Sequence, residues 1–180
     1  MLGVNHFGHF LLTRELLELV KKAKNARIIN VSSTAHAKAR EDFLEDLSAE
    51  KNYGLDTYRN SKLANVLFSL ELQKRLEGED VCVYSVHPGV VATQLIRDLS
   101  PWFEALLRTF LSFYLKDAEE GAKTQVMVAS DPSLQNTCAK YWADCRVQEE
   151  TAQAKDEKVA AKLWAKTEEM LEEKLSKIRE

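Results

Sequence analysis

Two buried strand patterns, each preceded by a long helical pattern, most constrain how this chain can fold. Residues 27–33 read Arg-Ile-Ile-Asn-Val-Ser-Ser, and residues 81–86 read Val-Cys-Val-Tyr-Ser-Val before His87-Pro88-Gly89. Apolar side chains at three- and four-residue spacing predict one helix almost from the first residue and a second from about Thr57 to near Gly78. This alternation is typical of parallel βαβ units with right-handed crossovers, so the sequence predicts an α/β fold.

The remaining segments divide into a loop, three helices and one strand. Residues 34–56 lose any apolar period, which predicts a long loop with one helical turn. Aromatic residues predict a helix over Pro101 to Leu115, another helix begins near Asp117, and residues 137–142 read as a third short strand. Residues 151–180 are highly charged yet keep an apolar stripe, which predicts a solvated helix with a fraying end. We therefore assign residues 1–150 to the α/β unit and residues 151–180 to a C-terminal helical extension.

Composition excludes several classes of function. The 180 residues are 45% hydrophobic and 29% charged, an ordinary globular balance, and the net charge of −3 offers no positive field for nucleic acid. Cys82, Cys138 and Cys145 form no CxxC pair and leave an odd thiol, which fits a reducing compartment. The sequence shows no secretory signal and no spanning apolar segment, so we expect this chain to be intracellular and cytoplasmic.

Tyr58 and Lys62 carry the strongest chemical signal. The spacing places the phenol and the ammonium group one helical turn apart on the same face of the second helix. A nearby cation stabilises a phenolate, which lets a tyrosine exchange protons with an alcohol or a carbonyl. By itself such a pair arises often enough by chance to be weak evidence, and an exposed neighbour pair is the plain alternative.

Other polar residues occur where a ligand could meet this pair. Ser33 follows the first strand, and its hydroxyl either donates to a substrate or satisfies the backbone of its own turn. Pro88, Gly89 and Thr93 follow the second strand at the same sheet edge, and they form either a ligand contact or an ordinary turn. Asn5 precedes a long apolar helix face, where the plain alternative is an N-cap.

Together these segments resemble the short-chain dehydrogenase/reductase family. The residues within the motifs, and the long separation of Ser33 from Tyr58, resemble its retinol dehydrogenase subgroup. The resemblance covers nearly the whole chain, and the segments that carry it are Asn5-His6-Phe7-Gly8-His9-Phe10-Leu11-Leu12-Thr13, Arg27 to Ser33, Tyr58-x-x-x-Lys62 with Ser61-Lys62-Leu63-Ala64-Asn65, and His87-Pro88-Gly89 with Thr93. It implies part of a Rossmann-like, doubly wound parallel sheet with flanking helices, namely the last three strands of a seven-stranded family fold.

The resemblance also implies an activity and a set of roles. The activity is hydride transfer between NADP(H), with NAD(H) as the alternative, and an apolar alcohol or carbonyl such as a retinoid. Tyr58 would be the general acid or base, Lys62 would favour its phenolate and hold the nicotinamide ribose, Ser33 would polarise the substrate oxygen, and Asn5 would hold a relay water. The residues implied to line the nicotinamide end are Pro88, Gly89 and Thr93.

Two further patterns leave their alternatives open. Aromatic residues of the helix at 101–115, including Trp102, Phe103 and Phe110, suit either a lid over a long apolar substrate or an ordinary core, membrane-surface or subunit contact. His6 and His9 stand three apart on a helix, but no third ligand is spaced to complete a zinc site, so we expect no metal.

The family's glycine-rich phosphate-binding turn has no counterpart in this sequence. None of the six glycines forms a G-x-G-x-x-G or similar cradle. We therefore expect a truncated member of the family that retains the catalytic half. The alternative is a catalytically inactive form that acts only through association, as a homodimer or with a full-length homologue, using its first two helices. The resemblance also implies that a parent protein would reside at the endoplasmic reticulum membrane or in mitochondria.

Overall fold

The central sheet is built from the two strand patterns that dominate the sequence. The computed structural model describes residues 1–48, 54–91, 115–116 and 118–179. Its main sheet has four strands in the order β1-β2-β5-β6: β1 (Ala26–Val31), β2 (Val81–His87), β5 (Tyr141–Ala143) and β6 (Arg146–Gln148). The first three are parallel, and β6 turns back antiparallel to β5. The predicted α/β class is confirmed.

Helices and short turns connect these strands. The α-helices are α1 (His9–Val20), α2 (Leu55–Arg75), α3 (Ala118–Ser130) and α4 (Glu157–Arg179). Single helical turns of the 3-10 type lie at Thr34–Lys38, Phe43–Asp46, Pro132–Asn136 and Gln153–Lys155. A separate parallel pair is formed by β3 (Val90–Val91) and β4 (Leu115–Lys116).

Strand β2 shows why the sheet is covered on both faces. All seven of its residues are buried, and successive side chains of a strand point to opposite faces. Val81 and Val83 pack with residues of α1, α2 and α4. Tyr84 and Val86 pack instead with Val128 of α3. The helices therefore lie on the two sides of a mostly parallel sheet, as in a doubly wound fold.

The predicted helix and loop boundaries differ from the structure in several places. Leu115, predicted as the end of a helix, begins β4, and residues 101–114 of that predicted helix lie outside the described residues. The first helix opens as a π-helix over Gly3–Gly8 before α1 begins. The predicted loop over residues 34–56 contains two 3-10 turns rather than one, and each buries one residue, His36 and Phe43. The third strand begins at Tyr141 instead of Thr137, because the left-handed backbone of Ala139 turns the chain just before it.

The helix at residues 157–179 is packed rather than solvated along most of its length. Leu163, Trp164 and Leu171 are buried, and Trp164 lies edge-on to Phe10 with ring centroids 4.6 Å apart. The prediction of a solvated helix was wrong for this face, because the apolar stripe packs against α2. The opposite face of the helix is exposed along its length, and the last turn is exposed as well, with 79% of Ile178 accessible. The proposed division at residue 150 stays a prediction.

The three cysteines differ in their bonding state. Cys82 on β2 and Cys138 before β5 form a disulfide across 56 residues, with their Cα atoms 5.0 Å apart. Cys145 is free and exposed. The spacing in the sequence indicated no pair, because only the docking of the segment before β5 brings these two residues together.

A membrane-spanning helix needs about 20 predominantly apolar residues, and this sets a test for the described helices. Among them, none combines sufficient length with sufficient apolar character to cross a bilayer.

Candidate active site

The carboxyl ends of β1 and β2 bring the predicted site residues to one edge of the sheet. The parallel register pairs Val31 with Val86, and the Ser32 amide donates to the Val86 carbonyl at 2.7 Å. Ser33 therefore leaves β1 at the same level at which Pro88 leaves β2. This edge is where parallel α/β sheets place their ligand-binding groups.

Tyr58 and Lys62 lie near the start of α2 and face this edge. The Lys62 ammonium lies 5.6 Å from the centroid of the Tyr58 ring. It also donates to the Val31 carbonyl at 3.3 Å, which holds it at the end of β1. Burial lowers the pKa of Lys62 from its ordinary value, because a partly dehydrated ammonium is less stable than a hydrated one. The pair thus combines a phenol with a cation that is fixed rather than solvated.

Side chains of both elements fix α2 against β1. The buried Ser32 hydroxyl donates to the Lys62 carbonyl at 2.7 Å, and the Asn65 amide donates to the Val31 carbonyl at 3.0 Å. These two bonds join the helix to the strand, and the Val31 carbonyl accepts from both the Asn65 amide and the Lys62 ammonium. Consequently the position of Lys62 relative to Ser33 is set by hydrogen bonds, not by the long lysine chain alone.

Asn5 connects the first helix to the same region. Its side-chain amide donates to the Ser61 hydroxyl at 3.1 Å, and that hydroxyl donates to the Tyr58 carbonyl at 2.7 Å. The N-cap alternative does not apply, since Leu2 occupies that position of the first helical segment. Asn5 is therefore brought to the turn of α2 that carries Tyr58.

Ser33 serves its own turn and still keeps a proton to donate. Its hydroxyl oxygen caps the 3-10 turn at Thr34–Lys38 by accepting from the Ala35 amide at 3.2 Å. A hydroxyl that accepts a hydrogen bond retains its own proton as a donor. The Ser33 oxygen therefore satisfies the backbone of its own turn, as one of the two alternatives predicted. Its proton is still available to donate to a substrate.

Pro88 and Gly89 are half-buried at the end of β2. Gly89 has a φ of 88°, in the left-handed region that favours glycine, so the backbone turns at this position. The other predicted contacts lie outside the described residues: Thr93, Trp102, Phe103 and Phe110.

The two N-terminal histidines have separate partners. His6 is fully buried, and its Nε2 atom lies 2.9 Å from the Thr167 hydroxyl of α4, whereas His9 contacts the Asn5 carbonyl through Nδ1 at 3.0 Å. In the part of the chain that the structure describes, no cluster of three His, Cys, Asp or Glu side chains could hold a metal ion.

Sequence reasoning missed several residues beside the site. Ser61 and Asn65 stood within the motif that carried the family resemblance, but no role was assigned to them. His36 fell in a segment without pattern, so its burial left no signal in the sequence. Tyr141 was interpreted only as part of a strand, yet its ring packs edge-on against His36 with centroids 4.7 Å apart.

Comparison with known proteins decides the family. The family model described as short chain dehydrogenase matches residues 1–104, more than half of the chain. The chain belongs to the short-chain dehydrogenase family. The resemblance inferred from the motifs is thereby confirmed, and by family the chain is of the oxidoreductase type.

Similar short-chain dehydrogenases include several retinol dehydrogenases. Human retinol dehydrogenase 12 is 46% identical over 164 residues, which are 91% of this chain and 51% of that protein. Mouse retinol dehydrogenase 14 is 42% identical over 172 residues, which are 94% of this chain and 51% of that protein. The chain thus spans about half the length of the curated relatives it matches.

Two solved structures share the fold. An uncharacterized protein from Mycobacterium paratuberculosis superposes with a TM-score of 0.69 at 30% identity, covering 93% of this chain and 57% of that one. The NADPH-bound carbonyl reductase from chicken fatty liver superposes with a TM-score of 0.60 at 21% identity, covering 83% and 55%. The Rossmann-like character of the sheet is therefore confirmed.

The described residues fit one end of the nicotinamide cofactor that this family uses. A fixed ammonium at Lys62, the phenol of Tyr58 and the glycine turn after β2 supply a cation, a hydroxyl and a close backbone approach at one edge. Such groups suit a ribose and a nicotinamide amide. In the described ranges, no glycine-rich turn cradles a pyrophosphate at a helix N-terminus.

Proposed function

We propose that this chain carries the catalytic groups of an NADP(H)-dependent oxidoreductase that interconverts an apolar alcohol, such as retinol, and its aldehyde or ketone. The observation that carries the proposal is the Lys62 ammonium, which lies over the Tyr58 ring and is tied to the end of β1, two residues before Ser33. The retinol dehydrogenase names of the relatives support the substrate class. The NADPH in the chicken carbonyl reductase supports the cofactor class.

The chain's own residues would manage the proton and the substrate oxygen. Tyr58 gives its hydroxyl proton to the carbonyl oxygen in reduction and takes one from the alcohol in oxidation. Lys62 stabilises the phenolate that remains, and Ser33 donates to the same substrate oxygen. Asn5 is joined to the turn of α2 that carries Tyr58 through Ser61, and there it would hold a water that relays the replacement proton. When bound, the cofactor would supply the hydride in reduction and accept it in oxidation.

The apolar substrate would be held outside the sheet edge. We assign this contact to Trp102, Phe103 and Phe110, and the nicotinamide end of the cofactor to Pro88, Gly89 and Thr93. The sequence supports this assignment because the aromatic segment is the first strongly apolar stretch after the turn that ends β2 and after Thr93. An apolar pocket with few polar groups suits a retinoid, which carries one oxygen on a long hydrocarbon.

Two measurements on the full chain test this function. NADPH binding is followed by nicotinamide fluorescence, and reduction of retinal by the loss of its absorbance. Tyr58→Phe should lower kcat at least 100-fold while changing the NADPH dissociation constant less than about threefold, since only the transferable proton is lost. Lys62→Met should lower kcat and also weaken NADPH binding. Lys158→Met, on the exposed face of α4, should change neither kcat nor NADPH binding. Full turnover by the Tyr58→Phe chain, or no saturable NADPH binding by the wild-type chain, contradicts the proposal.

Association without catalysis is the second candidate, and one surface favours it. Leu12, Leu16 and Leu19 of α1 lie at helical spacing and are 57%, 43% and 62% exposed. An apolar stripe of this kind on a helix is typical of a protein contact. Co-expression with full-length human retinol dehydrogenase 12 and size exclusion would show a shared complex that Leu16→Lys with Leu19→Lys disrupts. Separate elution of the two wild-type chains contradicts this function.

A further inference from the structure

His36 is buried beside Ser33 and contacts it twice. Only 4% of His36 is exposed, although it lies in a connecting segment. Its ring Nδ1 atom lies 2.7 Å from the Ser33 carbonyl oxygen, and its backbone amide donates to the same oxygen at 3.0 Å. The carbonyl of the residue proposed to polarise the substrate is therefore held by both the backbone and the side chain of one histidine.

The chemistry of these contacts defines the state of the ring. A carbonyl oxygen only accepts, so Nδ1 must carry the proton that it donates. Burial lowers the pKa of His36 from its ordinary value, which keeps the imidazole neutral at pH 7. The other nitrogen, Nε2, then bears a lone pair, and no donor reaches it from the described part of the chain. The polar contacts of this ring are thus directed at Ser33.

A second aromatic ring holds His36 in place. Tyr141 is 2% exposed, and its ring stands edge-on to the imidazole at a centroid distance of 4.7 Å and an angle of 63°. Tyr141 belongs to β5, so the contact joins the turn after β1 to the far side of the sheet. The orientation of the ring is consequently fixed both by the hydrogen bond to Ser33 and by packing against the core.

We propose that His36 is a positioning residue for Ser33: its Nδ1–H group holds the Ser33 backbone so that the hydroxyl oxygen caps Ala35 and the hydroxyl proton points to the substrate oxygen. This inference rests on the proposed function for its catalytic consequence. The geometric part, a single Ser33 rotamer that depends on Nδ1–H, stands on the contacts alone. In catalysis, loss of this restraint would misplace a donor by a fraction of an ångström, which is enough to slow a reaction.

Two substitutions separate the hydrogen bond from the packing. His36→Phe keeps a ring against Tyr141 and removes the donor. His36→Asn places an amide donor where Nδ1 lies and removes the ring. The Ser33 χ1 rotamer is measured on the full chain by three-bond Hα–Hβ couplings, with thermal unfolding as the control for global stability. We expect one rotamer in wild type and His36→Asn, and averaged couplings in His36→Phe.

Should His36→Phe fail to fold, His36→Gln serves instead, because its amide reaches the Nε2 position and leaves Ser33 without the donor. Averaged couplings in His36→Gln support the proposal as they would in His36→Phe. A single, unchanged Ser33 rotamer in the folded donor-less variant overturns it.

Turnover supplies a readout that a merely structural role would not move. The donor-less variant should lower kcat on the order of tenfold with the KM for NADPH unchanged, and His36→Asn should recover most of that loss. Equal loss in both variants, in proportion to their melting temperatures, overturns the positioning role. A wild-type chain that does not turn over contradicts the proposed function, and the Ser33 couplings then still decide the inference about His36.

Discussion

Ser32 and Ser33, neighbours at the end of β1, have different roles: the first stabilises the fold, and the second is proposed to act on the substrate. Ser32 is 1% exposed and donates to the Lys62 carbonyl, whereas Ser33 is half-buried at the site edge. Ser32→Ala should lower the free energy of unfolding by about 1–2 kcal/mol, because a buried hydrogen bond is lost. Ser33→Ala should lower kcat on the order of 100-fold with a change in stability below about 1 kcal/mol.

Urea unfolding and retinal reduction measure the two effects on the same preparations. Each serine is the matched control for the other, since both changes remove one hydroxyl group at adjacent positions. Loss of stability in Ser33→Ala larger than that in Ser32→Ala would contradict the division of roles.

Acid sensitivity should depend on His6. Burial lowers its pKa from 6.5 to about 4, because a charged imidazole is unstable in the core. Because the folded pKa is below the unfolded one, the unfolded chain binds more protons as the pH falls from about 6.5 to about 4, and stability falls across that window. His6→Gln keeps a donor toward Thr167 but does not titrate. Between pH 7 and pH 4.5, wild type should therefore lose about 2–3 kcal/mol more than His6→Gln in urea unfolding. Equal losses would show that His6 does not control this transition.

Helix α4 is an element whose two ends differ in burial. Leu163 is 1% exposed and packs in the core, whereas Ile178 is 79% exposed on the last turn. Leu163→Ala should lower the free energy of unfolding by about 2–5 kcal/mol through lost contacts and a cavity. Ile178→Ala, a similar loss of aliphatic side chain on the same helix, should stay within about 0.5 kcal/mol.

Chemical denaturation of both variants checks this difference. Similar stability of the two would restore the prediction of a solvated C-terminal helix.

At the scale of the element, the sequence predicted the helices and strands themselves better than it predicted which elements pack against each other. The β-branched runs identified β1 and β2, and helical spacing identified α1 and α2, because local periodicity reflects which side of an element is buried. The same periodicity in α4 could not reveal that its stripe covers α2, since the partner lies about 90 residues away in the chain. Nor could the irregular segment after β1 show that His36 and Phe43 enter the core, since each is an isolated buried residue.

For the whole molecule, the disulfide between Cys82 and Cys138 should be the main covalent restraint. It closes a loop of 56 residues, so the chain-entropy model assigns it about 4 kcal/mol. Cys138→Ser should therefore lower the stability of the oxidised chain by an amount of that order. Cys145→Ser, which removes the exposed free thiol, should leave stability nearly unchanged.

Urea unfolding without reductant and thiol titration of the native chain measure this restraint. The native wild-type chain should show one reactive thiol. Three reactive thiols, or equal stability of the two variants, would contradict the disulfide.

The candidate site shows how sequence and tertiary structure contribute at this largest scale. Tyr58 and Lys62 could be paired from the sequence alone, because one turn of a helix fixes which side chains share a face. The predicted meeting of Ser33 with Pro88 and Gly89 followed from strand direction, since the carboxyl ends of parallel strands share an edge. Asn5 was named from a motif, but its link to Tyr58 through Ser61 joins residues 56 positions apart and needed the structure.

By itself, then, the sequence determined the α/β class, the two crossover units, the Tyr58–Lys62 pair and the family, because each depends on local periodicity or on short motifs. Tertiary structure decided which faces are covered. It packed α4 onto α2, brought Cys82 to Cys138 and placed His36 between Ser33 and Tyr141. These contacts join distant segments, and burial of apolar surface selects them only when the whole chain has folded.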